Sequence, residues 1–100
     1  MTTPDRFPGD PRDELRDCRN AIEVIDKRIV ALLAQRVELA LRAASAKRAA
    51  GLSLVDRVRE AEVIDRVVAE GRSHGLAADA VERVFEWIID MSRRAQEDAR

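Results

Sequence analysis

From Arg12 to Ala50 the chain contains neither Gly nor Pro, and apolar or small residues return every three or four positions. They fall at Leu15, Cys18, Ile22, Ile25, Ile29 and Leu32, then at Leu39, Ala43 and Ala46. That spacing keeps one face of a 3.6-residue helix apolar and predicts a single long helix, with Gly51 supplying its stop. A second helix is expected from about Val55 to Glu70, with Val58, Ala61, Ile64 and Val68 on its inner face and "GRSHG" at 71–75 breaking it. A third runs from about Ala77 to the C-terminus through Val81, Val84, Phe85, Ile88, Met91 and Ala95. Its start is poorly capped, because Ala77 and Ala78 have no side-chain oxygen and Asp79 comes late. Residues 1–11 hold all three prolines and read as a flexible tail ahead of one helical domain, 12–100. No stretch has the two-residue period of a strand. The fold class is all-α.

The first helix sets the assembly. About 38 residues at 1.5 Å each make a rod of roughly 57 Å, whereas a compact 100-residue monomer has a radius of gyration of about 13 Å. One chain cannot cover such a seam, so an intertwined helical homodimer is expected. Composition narrows the partners. The chain is 46% hydrophobic and 37% charged with a net charge of −1, which excludes a disordered chain and gives no electrostatic case for nucleic acid or a membrane surface. Cys18 stands alone and is expected as a small core residue; His74 reads as a loop residue. With no signal-like or membrane-spanning run, the expected location is cytoplasmic.

Polar residues interrupt the apolar stripes at particular places. Arg36 takes the slot between Leu32 and Leu39, and Lys47, eleven residues on, returns to nearly the same face. Ser92 and Gln96 extend the Val81–Phe85–Ile88 stripe, and Arg19 flanks the seam near the start of the first helix. In "VDRVRE" (55–60), Glu60 lines up with Val63, Ile64 and Val67, and Arg59 with Val63. Each alone has a plain reading: a register-setting seam residue for Arg36, solvated surface for Arg19, Arg59 and Glu60. Together they are harder to dismiss, because buried charge is costly unless paired or liganded. Arg19, Arg36, Lys47 and Arg59 outnumber Asp56 and Glu60, and the surplus positive charge suits a small dicarboxylate. Arg19 lies too far along its own helix, but an antiparallel partner chain can bring its copy across.

These residues at these spacings resemble the all-α chorismate mutases, an intertwined-dimer family. "ELRDCRNAIEVIDKRIVALLAQRVELALRAASAK" is similar to that family's first helix, "VDRVRE" to the start of its second and "IIDMSRRAQ" to its third. Asp26, "ALLAQR" and "GL" at 75–76 add weaker likeness. The Pro-rich tail, the uncapped third helix and Val55, where relatives often carry Arg, depart from the pattern. The resemblance implies that Arg36, Arg59 and Arg19 of the partner subunit clamp two carboxylates with help from Ser92. It also implies that Lys47 and Gln96 donate to the breaking ether oxygen, while Glu60 and the backbone near Asp56 hold the ring hydroxyl. Lys47, Gln96, Glu60 and Arg36 would then be catalytic, on the substrate chorismate, with no cofactor or metal, in a monofunctional enzyme. Isochorismate pyruvate lyases share the fold, but an acid at the Glu60 position is more typical of mutases. A mutase for 4-amino-4-deoxychorismate would use the same clamp, with Glu60 and Asp56 facing an ammonium. A non-enzymatic helical dimerisation module would account for the seam but not for Arg36, Lys47, Ser92 and Gln96 together.

Overall fold

The computed structural model describes residues 9–99, which form three α-helices: α1 (Pro11–Ala49), α2 (Arg57–Ser73) and α3 (Ala78–Asp98). Residues 1–8 of the expected tail lie outside the described residues. Asp10 starts α1, its carboxylate accepting the Arg12 N–H at 2.9 Å and its carbonyl the Asp13 N–H at 3.0 Å. Pro11 therefore sits in the first helical turn, where its missing N–H costs nothing. Asp13 and Glu14 in the first turn and Lys47 and Arg48 in the last complement the helix dipole.

Two glycines end helices by the same device. Gly51 (φ +72°) lets the Leu52 N–H reach the Lys47 carbonyl at 2.8 Å, and Gly75 (φ +76°) lets the Leu76 N–H reach the Gly71 carbonyl at 2.9 Å. Both are left-handed closures that a side chain would strain. Gly71 differs from expectation, because α2 passes through it to Ser73 and the break falls at His74–Gly75. Gly71 is buried, and a Cβ there would lie 2.7 Å from Val81 Cγ2. It is a close-approach residue between α2 and α3. Ala77 precedes α3 with no side-chain cap, as its sequence implies.

Residues 33–99 and residues 9–32 are distinct units. In the first of these, α2 and α3 pack together, with Val63, Ile64, Val67 and Val68 half-buried on one helix and Val81, Phe85, Ile88 and Ile89 on the other. The inner face of α2 is thus rotated from the expected one, and Val58 is 71% exposed. Ala44 is the one fully buried apolar residue among those described. In residues 9–32, Leu15, Ile22, Ile25, Ile29 and Leu32 are all exposed in a single chain. Cys18, expected in a core, is exposed there too, its sulfur 3.7 Å from Glu14 Oε1. No helix among the described residues is long and apolar enough to cross a membrane.

Candidate active site

Three helical stripes converge on one cavity of about 210 Å³. From α1 come Arg36, Ala40, Ala43 and Lys47; from the start of α2, Asp56, Arg59, Glu60 and Val63; from α3, Ile89, Ser92, Arg93 and Gln96. Each set recurs at three- and four-residue steps, so each is one face of its helix. Leu54 and Val55 of the α1–α2 connection complete the lining. Of the site residues expected from sequence, Arg36, Lys47, Asp56, Arg59, Glu60, Ser92 and Gln96 all line this space. Arg19 belongs to residues 9–32 and is not among them.

Hydrogen bonds fix several of these groups. Arg36 Nη1 donates to Ser92 Oγ at 3.1 Å, which explains a buried serine on an otherwise apolar stripe. A hydroxyl that accepts from Arg36 keeps its own proton to donate. Gln96 Nε2 donates to the Ala40 carbonyl at 3.4 Å, leaving its second N–H uncommitted to that contact. Asp56 caps α2, its carboxylate accepting the Arg59 N–H at 3.0 Å. Its side chain is therefore committed to the helix end, at the α2 corner of the cavity. Arg59 has an ion pair with Glu62 at 3.8 Å, long and exposed, which contributes little.

The balance of charge favours an anion. Burial, and after it the neighbouring Arg59 charge, hold the Arg36 guanidinium below its ordinary pKa. Both causes are a penalty on the cation that a carboxylate placed between the arginines would relieve. Arg36 and Lys47 have no carboxylate partner among the described residues. Glu60 does have a partner of opposite charge. Arg93 Nη2 reaches its Oε1 at 3.1 Å and its Oε2 at 3.0 Å.

Residues 18–97 match the family model described as chorismate mutase type II. The chain belongs to the chorismate mutase type II family. The match contains every candidate site residue, Arg19 and Gln96 included. The bifunctional chorismate mutase/prephenate dehydratase of Escherichia coli K12 is 34% identical over 79 residues, covering 79% of this chain and 20% of that protein. The Enterobacter agglomerans protein of the same name is 32% identical over 87 residues, 87% of this chain and 22% of that protein. The chain thus spans about a fifth of the length of these relatives. The chorismate mutase of Methanocaldococcus jannaschii is 27% identical over 84 residues, 84% of this chain and 85% of that one.

One lining residue of this chorismate mutase type II chain is not evident from its sequence. Arg93 lies four residues after Ile89 and three before Gln96, squarely on the cavity stripe. Its spacing is a usable signal; its partner, 33 residues away on another helix, leaves none.

Proposed function

We propose that this chain is a chorismate mutase, converting chorismate to prephenate by a Claisen rearrangement, and that it works as a homodimer with sites shared between chains. The observation that carries this reading is the cavity itself, where Arg36, Lys47 and Arg59 meet Ser92 and Gln96 with positive charge in excess. The reaction is unimolecular: one C–O bond breaks, one C–C bond forms, and no proton is transferred. Catalysis then consists of holding the compact, pseudo-diaxial substrate and of placing donors where charge grows on the ether oxygen.

Arg36 and Arg59, with Ser92, take the carboxylates, and relief of their mutual repulsion adds to binding. Lys47 and the spare N–H of Gln96 serve the ether oxygen. Glu60 and the backbone at Asp56 take the ring hydroxyl. Arg19 of the partner subunit supplies the remaining cation. A second copy is supported by the apolar stripe of residues 9–32, where Ile25 is 52% and Ile29 48% exposed in one chain. Water would otherwise meet that whole face. Residues 12–100 would form the catalytic domain, acting in the cytoplasm in aromatic biosynthesis.

Product analysis tests the reading. Incubation with chorismate should yield prephenate without pyruvate. Pyruvate release from isochorismate would make the protein a lyase, and chorismate, isochorismate and 4-amino-4-deoxychorismate all left unchanged would leave a dimerisation module.

A further inference from the structure

The Arg93–Glu60 pair belongs to the cavity, but Arg93 has no part in the roles above. Glu60 is the acid assigned to the ring substituent, and Arg93 bonds to both of its oxygens through one nitrogen. The Glu60 side chain is 28% exposed and that of Arg93 41% exposed, so the pair is partly shielded from water. Such a pair does two things. It fixes where the carboxylate points, and it cancels the negative charge that the carboxylate would present. A carboxylate has acceptor sites beyond those one guanidinium nitrogen occupies, so Glu60 can still accept from a hydroxyl. What it lacks is an unmatched charge to attract a cation.

We propose that Arg93 is a positioning and specificity-determining residue that makes this site select a neutral hydroxyl over an ammonium group on the substrate ring. The proposal rests on the mutase reading and deepens it. Without Arg93, Glu60 swings freely and carries its full charge. The hydroxyl substrate loses a preorganised acceptor, while an amine-bearing substrate gains a counter-charge. Because the hydroxyl contact exists in the ground state as well as the transition state, the loss falls mainly on KM.

The experiment compares chorismate with 4-amino-4-deoxychorismate on the parent, Arg93→Met and Arg93→Lys. The methionine keeps the apolar stem without the charge, and the lysine restores charge. The expected result is a parent that prefers chorismate and an Arg93→Met protein whose KM for chorismate rises about tenfold. Its kcat/KM ratio should shift by about tenfold toward the amine. Arg93→Lys should recover most of both. A parent that turns over chorismate, with Arg93→Met holding the same ratio while folded by circular dichroism, overturns the role of Arg93 alone. An equal fall in kcat on both substrates does so too, since that marks a structural role. A parent inert to chorismate overturns the mutase reading and this inference with it.

Discussion

α1 is one uninterrupted helix with two chemistries. Up to Leu32 its apolar residues are large and exposed: Leu15, Ile22, Ile25 and Ile29 in a single chain. Beyond Leu32 the same spacing carries Arg36, Ala40, Ala43 and Lys47, small and cationic, toward a cavity built with α2 and α3. The helical period is constant; what changes is the contact each half requires. Small alanines leave room for a ligand, and the cations at either end of them give it charge to bind. Large aliphatics leave neither, and they call for another protein surface. On the proposed function, the first half would make the dimer and deliver Arg19, and the second half would make the site.

The comparison breaks most visibly in the first half. Ile25→Asp should cost several kcal/mol, since it would bury an unpaired carboxylate in the subunit interface. Sedimentation should show loss of the dimer, with activity falling to background. A variant as dimeric and active as the parent would mean the stripe is merely solvated. In the second half, Arg36→Ala should leave the assembly intact and lower kcat/KM by about a hundredfold or more, for loss of a charge-assisted carboxylate contact and of the bond to Ser92. Steady-state kinetics with circular dichroism separates that from misfolding.

Gln96→Glu sharpens the claim to a single oxygen. The amide donates at any pH, but a carboxyl group donates only when protonated. Activity of the variant should be present below the carboxyl's pKa and lost as pH rises through it, by about a hundredfold at neutral pH. The parent should be nearly flat across the same range. A pH–rate profile of kcat/KM checks this, and a pH-insensitive variant would remove Gln96 from the reacting oxygen. Gly71→Ala should have the smallest effect. Overpacking against Val81 costs about 1–3 kcal/mol, of which about 1 kcal/mol is offset by alanine's helix propensity. A thermal midpoint lowered by a few degrees at fixed protein concentration, with activity per folded molecule unchanged, is the expected outcome.

Much of this is legible in the sequence because the misfits are. Absence of Gly and Pro from 12 to 50 gives the length of α1, and Arg36, Lys47, Ser92 and Gln96 stand out as polar residues on apolar stripes. Where a residue type fits two roles, sequence cannot choose. Asp56 is an acid at a helix start, and only the bond to the Arg59 N–H shows its carboxylate capping α2. Gly71 reads as a breaker in a row of small and polar residues, and only its approach to Val81 makes it a contact. Arg93 sits beside Arg94 in a charged run; its spacing places it on the cavity stripe, but nothing local pairs it with Glu60. Val58 fits the period of α2 yet is exposed, because burial depends on where α3 lies, which periodicity does not encode.

The link between the two halves of α1 is tested most directly by mixing two inactive proteins. Arg19→Ala and Arg36→Ala should each be nearly inactive alone. A heterodimer with one of each has one site carrying both defects and one carrying neither. Co-refolded mixtures should therefore regain chorismate turnover, at about a quarter of the parent's activity when mixed equally, since about half the dimers are mixed and each has one intact site. Mixtures that remain dimeric by sedimentation yet stay inactive would contradict the shared site, and with it the role given to the first half of the helix.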